Sequence, residues 1–477
     1  MMCNSGGIEM DDFLREIQTS LFREWINNQK RDYYHLHQSE TDPDAIIIEN
    51  EYCYSYVTFN PQCIIELCVM NKRTDEMAFY LHFQFKTLKH AISLFEEMDQ
   101  CIKKMIDQPI CRLLLCCSGG MTTAFFADKI KNGIKVLNLN MEVAATSYQK
   151  IYNVAQNYDV ILLAPQVSYV KLQVEKVFKN KLVLKIPTQI FASYNVGALI
   201  TFIEESLKHK ENKYNGYVEP LASMMEIKTN KNVLAVSINA NGENSHISYR
   251  LYNSHQDIVL DSNIIKSNIK LQDVLDALDT VVLQNEMIDV ISIALPGVMV
   301  EGNVYSGIIE GGNHQLKERL EKRYEKEIYL INDVNAAVVG YYASQNEYKS
   351  LAFLFQPIGR MAGSGIVVNG QLVRGMDHLA GEVALLPLNL SDAYLTLANT
   401  PEGTLELVTK NIMSIIAIVA PEAIVVYSDL ILDSQDVSDE IKKALSQYPL
   451  KVYPQIIKVE NILEYILLGA MILSAKE

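Results

Sequence analysis

The stretch Leu113-Leu-Leu-Cys-Cys117-Ser-Gly-Gly-Met-Thr-Thr-Ala-Phe-Phe-Ala-Asp-Lys-Ile130 decides how the middle of this 477-residue chain folds. Its apolar start reads as a buried strand that ends at Cys117. Ser118, Gly119, Gly120, Met121, Thr122 and Thr123 read as a small-residue loop, and a helical pattern follows. Strand, glycine-bearing loop and helix N-terminus together form an anion site. Backbone N–H groups converge there, and the helix dipole adds roughly half a positive charge. A cysteine on the rim of such a site is held as a thiolate more easily than a free thiol. That is the chemistry needed to accept and carry a phosphoryl group. The plainer alternative is a buried, chemically idle cysteine. Cys116, which points to the opposite face of the strand, fits that description well.

Three other phosphate loops are excluded. No lysine stands before a Ser or Thr as a Walker loop requires, and the dinucleotide fingerprint lacks its glycine spacing. Thr123 occupies the place where a Cys-x5-Arg phosphatase needs arginine. With no guanidinium to clamp a transition state for hydrolysis, the loop suits passing phosphate onward.

Composition sets the wider frame. Hydrophobic content of 49% with 21% charged residues describes an ordinary globular protein, and the length suggests about three domains. A formal net charge of −15 argues against nucleic acid as a partner. All eight cysteines lie at or before Cys117 with no Cys-x-x-Cys pair, which excludes common zinc spacings. That usage, and a polar start without a secretory signal, fit a cytoplasmic location. No run of about 18 uninterrupted apolar residues occurs, so no membrane span is expected.

Residues 1–108 read as a small α+β module of unknown role, with docking or dimerisation as its best reading. A helix over 13–25 is followed by two or three strands, among them 64–70 and 78–85. An amphipathic helix over 88–106 then turns Ala91, Leu94, Phe95, Met98, Ile102 and Met105 inward. His82 and His90 read as surface or satisfied core residues. Over 109–207 strands and helices alternate, with further strands expected at 136–139, 160–163 and 182–186. That order argues for a parallel sheet with the Cys117 loop at the C-terminal end of its first strand. Residues 208–231 read as a linker.

The segment 109–207 resembles the IIB component of the lactose/cellobiose branch of the bacterial sugar phosphotransferase system (PTS). Cys117-Ser-Gly-Gly-Met-Thr-Thr123, Tyr158-Asp-Val-Ile-Leu-Leu-Ala-Pro-Gln-Val-Ser-Tyr169 and Lys185-Ile-Pro187 carry the likeness. It implies a four-stranded parallel sheet with helices on both faces. It also implies Cys117 as nucleophile, the loop through Thr123 as phosphate cradle, and a phosphorylated IIA-type carrier protein as partner. Ser168 stands where the family often has arginine.

The segment 232–477 resembles the ROK group of sugar kinases and sugar-responsive repressors, which have a two-lobed actin-like (ribonuclease-H-like) fold. The match lies in Ile293-Ala-Leu-Pro-Gly297, Ile331-Asn-Asp-Val-Asn-Ala-Ala337, Gly363-Ser-Gly-Ile-Val-Val-Asn-Gly370, Arg374-Gly-Met-Asp-His-Leu-Ala-Gly-Glu382 and a closing helix over 461–473. On this resemblance Asp333 is the catalytic base, and Asn332, Asp333 and Glu382 contact the sugar. The plainer reading of Asp333 is a capping carboxylate. The nucleotide side departs from the family. Its Asp-x-Gly-Gly-Thr turn reads Ser237-Ile-Asn-Ala-Asn241, Arg360 and Met361 replace a threonine and a glycine, and Tyr427-Ser428 replaces a glycine pair. The family's zinc-binding cysteines are absent, and Leu385 replaces their histidine partner. These departures imply a domain that binds sugar or sugar phosphate but is poorly active as a kinase. No zinc or other metal is expected, and ATP and Mg serve only if the kinase-like part is active.

The expected fold class is therefore α/β multidomain: an α+β module, a IIB-like parallel-sheet domain and a two-lobed actin-like ATPase fold. The expected function is a phosphoryl-carrier or regulatory protein of sugar metabolism, a IIB-type phosphotransferase at Cys117. The alternatives are an active ATP-dependent ROK sugar kinase and a non-catalytic sugar-sensing scaffold. The sequence leaves an oligomer open.

Overall fold

The computed structural model describes residues 12–72, 76–106, 111–117, 121–137, 139, 141–178, 181–211, 229–241, 244–300, 303–306, 309–310, 316–376, 379–431, 433–446 and 453–476. Contacts divide the chain into two compact units, Met1–Ile102 with Tyr214–Glu477, and Lys103–Lys213.

After the helix Asp12–Asn27 come β1 (His35–Gln38), β2 (Ala45–Glu49), β3 (Cys53–Asn60), β4 (Ile64–Asn71) and β5 (Glu76–Gln84). They form an antiparallel run of five strands, more than the two or three expected. The helix Leu88–Ile106 buries all six residues that its 3.6-residue period turns inward.

In the second unit β6 (Cys111–Cys117), β7 (Met141–Ser147), β8 (Val160–Leu163) and β9 (Leu182–Lys185) pair in parallel in the order β7-β6-β8-β9. The four-stranded parallel sheet is as expected, but its second strand is not at 136–139. Val136, 83% exposed, ends the helix Met121–Val136, Leu137 and Leu139 come after it, and residue 138 lies outside the described residues. The true strand, β7, lies at the sheet's edge and fully buries only Met141, so no apolar run marks it. Of the expected linker, 208–211 close the helix Val196–Glu211, and 212–228 lie outside the described residues.

The rest of the chain builds two sheets of one design. β10 (Val233–Asn241), β11 (Asn244–Tyr252) and β12 (Ile258–Lys266) are antiparallel. β13 (Ile269–Lys270) precedes β14 (Val290–Leu295), which joins β10 in parallel. β15 (Val298–Val300) pairs with β16 (Asn303–Tyr305), and β17 (Ile309–Glu310) pairs with β13. β18 (Glu327–Asn332) then adds to β14, giving β12-β11-β10-β14-β18. β19 (Leu351–Phe355), β20 (Gly363–Val368), β21 (Gln371–Leu372), β22 (Ala423–Tyr427) and β23 (Gln455–Lys458) repeat the order as β21-β20-β19-β22-β23. This duplication is the expected actin-like arrangement. The helices Asp333–Ala343 and Leu463–Lys476 cross so closely that a Cβ on Gly469 would stand 1.8 Å from the Ala336 carbonyl oxygen.

The first of these sheets does not stop at β12. Tyr80 of β5 pairs with Ile265 of β12, and the sheet runs on through the first module to ten strands. The module expected to stand alone thus shares a sheet with the last segment. Ion pairs fasten the join. Lys86 reaches Asp276 (2.6 Å) and Asp279 (2.5 Å), and the buried Lys266 reaches Glu97 (2.5 Å) and Asp273 (2.6 Å). His82 is buried against the Tyr249 hydroxyl (2.7 Å), and His90 meets Asp276 (3.0 Å).

Candidate functional site

Cys117 closes an inner strand. β6 has β7 on one side and β8 on the other, so its C-terminal end lies where the strand order reverses, the usual ligand crevice of such sheets. The helix Met121–Val136 begins almost at once, so Met121, Thr122 and Thr123 form its first turn rather than part of the loop. The first N–H groups of a helix have no partner within it and face whatever precedes them. Ser118, Gly119 and Gly120 lie outside the described residues. Cys116 is fully buried, and burial, with the charge of Cys117 beside it, pushes its thiol up to about 12. That thiol is idle.

Asp333 also stands where a parallel strand becomes a helix. Asn332 is the cap of the helix Asp333–Ala343. Its Oδ1 accepts from the Val334 and Asn335 N–H groups (3.1 and 3.0 Å), and its Nδ2 donates to the Gly297 carbonyl (3.2 Å). Asp333, buried behind the cap, accepts one hydrogen bond from Val334 N–H (2.9 Å). Burial pushes its carboxyl up to about 7, and the charge of Glu382 adds to the rise. Glu382 is itself raised by burial. β20 holds the two together: Gly363 and Gly365 pack on Val334, and the Ser364 N–H donates to the Gly381 carbonyl (2.9 Å). The Asn335 Oδ1 and Ser364 Oγ atoms are buried without partners. A carboxyl poised near neutrality can take a proton from a sugar hydroxyl.

At the end of β10, after β19 and after β22, the buried polar side chains are neutral. Ser237 and Asn239 are buried on β10, with Asn239 Nδ2 donating to Ser237 Oγ (3.3 Å). β10 and β11 stay paired out to Asn241 and Asn244, with no carboxylate on β10 there. In the second turn Gly359 takes a φ of 65°. Beneath it the buried Gln356 donates to the Pro357 and Arg360 carbonyls (both 2.9 Å). Gln356 accepts from the Tyr394 hydroxyl (2.8 Å), which accepts from the Ala362 N–H (3.1 Å). Tyr427 ends β22 and Ser428 follows it, both buried, and Ser428 Oγ has no partner.

Residues 112–201 match the family model "PTS system, Lactose/Cellobiose specific IIB subunit", and residues 242–403 match "ROK family". One chain joins a lactose/cellobiose-type IIB domain to a ROK domain. It is a fusion protein of sugar metabolism. Similar solved structures include a ROK family protein from Streptococcus pneumoniae TIGR4 in complex with sucrose (18% identity, TM-score 0.42, covering 51% of this chain and 98% of that one). A ROK family glucokinase from Streptomyces griseus in complex with glucose and AMPPNP is 16% identical (TM-score 0.40, covering 52% and 100%). A ROK hexokinase from Thermus thermophilus is also 16% identical (TM-score 0.42, covering 51% and 99%). No curated protein matches the chain.

Within the ROK domain, Asn332, Asp333 and Glu382 gather at one place, while Leu385 is 75% exposed. Among the described residues no group of three or more His, Cys, Asp or Glu could hold a metal ion, and no helix is long and apolar enough to cross a membrane. Gln356 and Tyr394 escape a reading by motif. Their signal is slight: a glutamine closing the apolar strand Leu351–Phe355 just before Pro357.

Proposed function

We propose that the IIB domain carries phosphate on Cys117, taken from the phosphohistidine of a IIA-type protein, and that the ROK domain binds a sugar or sugar phosphate with little nucleotide turnover. The observation that carries the first part is the place of Cys117, at the end of an inner parallel strand with a helix starting at Met121. The Cys117 thiolate attacks phosphorus, the P–N bond to the donor imidazole breaks as the S–P bond forms, and the imidazole leaves neutral after protonation. Onward transfer to a hydroxyl returns the thiolate. The helix N–H groups offset charge on the phosphoryl oxygens throughout. Incubating the chain with a phosphorylated carrier cascade tests this, because a thiophosphate should form on Cys117 and fail to form in Cys117→Ser.

The second part rests on Ser237, Asn239 and Gln356. A magnesium–nucleotide needs a carboxylate for the metal and bare backbone beside the phosphates. The first turn offers two neutral side chains bonded to each other, and the second has Gln356 and Tyr394 bonded to its own backbone groups. These residues do not fit that group. Both parts fit a cytoplasmic location. A second reading, an active sugar kinase, has the carboxyl of Asp333 near 7 in its favour. Nucleotide turnover over a sugar panel, lost in Asp333→Asn, would establish it. A thermal shift with sugar alone and no turnover would establish binding without catalysis.

A further inference from the structure

The half-open face of β3–β5 carries a cluster that neither proposed activity uses. Alternate residues of these strands, among them Val57, Leu67, Leu81 and Phe83, are buried on one face, while Tyr56, Glu66 and Tyr80 stand half-buried on the other. Strand register sets their arrangement. Glu66 lies opposite Thr58 on β3 and His82 on β5, and Tyr56 and Tyr80 flank Cys68, two residues along β4. Both tyrosines therefore sit on diagonals from Glu66, within reach of long side chains. Asn60 Nδ2 donates to Glu66 Oε1 (2.9 Å). The Tyr80 and His82 rings are 5.8 Å apart, and the His82 ring in turn holds the Tyr249 hydroxyl at 2.7 Å. Burial raises the phenols of Tyr56, Tyr80 and Tyr249, and the nearby charge of Glu66 adds to each. Burial likewise pushes the Glu66 carboxyl up, eased only by the Asn60 hydrogen bond, and among the described residues no cation offsets its charge.

We infer that this face is a cage for a small organic ammonium ion, with the Tyr56 and Tyr80 rings as walls and the Glu66 carboxylate as counter-charge. A partly desolvated carboxylate without a cation is costly, and a ligand cation supplies what is missing. Tyrosine faces attract an ammonium group through their ring quadrupole. A neutral sugar would leave the Glu66 charge uncompensated. A divalent metal would find one carboxylate and few other hard ligands. The same chemistry is offered by an amino sugar and by a simple alkylammonium ion.

The test is to titrate the full chain with tetramethylammonium chloride, glucosamine and glucose, followed by ligand-observed NMR. At least one of the two cations should bind. Glu66→Gln should weaken that binding about tenfold, and Tyr80→Leu similarly, whereas Tyr80→Phe, which keeps the ring, should stay within about twofold. Asp333→Asn should leave tetramethylammonium binding unchanged, which separates this face from the sugar site of the ROK domain. Binding of glucosamine but not of tetramethylammonium, weakened by Glu66→Gln and not matched by glucose, assigns an amino sugar, and binding of tetramethylammonium assigns the ammonium group itself. Binding of neither cation, or binding that Glu66→Gln leaves intact, overturns the inference.

Discussion

Two places in this chain put a candidate functional side chain where a parallel strand gives way to a helix, and their surroundings treat them in opposite ways. In the ROK domain Asn332 takes the capping position and satisfies the first N–H groups, leaving Asp333 buried behind it. Little there favours the carboxylate's charge, so the group holds its proton up to about pH 7. In the IIB domain Cys117 precedes the helix, whose first turn starts at Met121. A helix N-terminus presents open N–H ends that suit the oxygens of a bound phosphoryl group. A group placed behind the cap is favoured as a neutral acid. One architecture therefore offers a buried acid in one domain and, on the proposed function, a phosphoryl acceptor in the other.

The largest expected effect concerns the frame behind Asp333. The buried Arg250 donates to both carboxylate oxygens of Glu464 (2.8 and 2.9 Å), in the first turn of the helix that crosses the Asp333 helix. Arg250→Met removes both guanidinium hydrogen bonds from the buried Glu464 carboxylate, and should cost about 3–5 kcal/mol in urea unfolding. An unchanged unfolding curve would mean that this pair does not hold the frame.

The next prediction concerns Asp333 itself. Its folded-state value near 7 exceeds the ~3.9 of an unfolded aspartate, so the folded state binds the extra proton between those values. Stability contributed by this group therefore falls as pH rises from about 4 to about 7 and then levels off. Asp333→Asn should be more stable than the parent by a few kcal/mol at pH 8, with the gain fading toward pH 5. A gain independent of pH would contradict the assigned burial of charge.

The smallest effect compares the adjacent thiols. At pH 8 an alkylating reagent should modify Cys117 at least about tenfold faster than Cys116, whose thiol burial pushes up to about 12. Mass spectrometry of the peptide that carries both residues reads the ratio. Equal rates would erase the distinction drawn between the two faces of β6.

How much of this was legible in the sequence follows from how local each signal is. The helix Leu88–Ile106 was readable residue by residue because its inward positions repeat every turn. Cys117 stood out because apolar strand, glycines and helix start are contiguous, and the pairing of Asn332 with Asp333 came through a compact motif. β7 was missed because an edge strand with one fully buried residue leaves no apolar run. The joining of β5 to β12 could not be read, since Tyr80 and Ile265 meet only through the fold. The same holds for Gln356 with Tyr394 and for Arg250 with Glu464, whose partners lie far along the chain.

The most direct test of the account is to map phosphate after the chain has been mixed with a phosphorylated IIA-type donor under conditions that preserve thiophosphates. The account predicts one phosphoryl group, on Cys117, and none on Cys116. A chain left unlabelled by a competent donor, or one labelled at another residue while Cys117 stays bare, would contradict it.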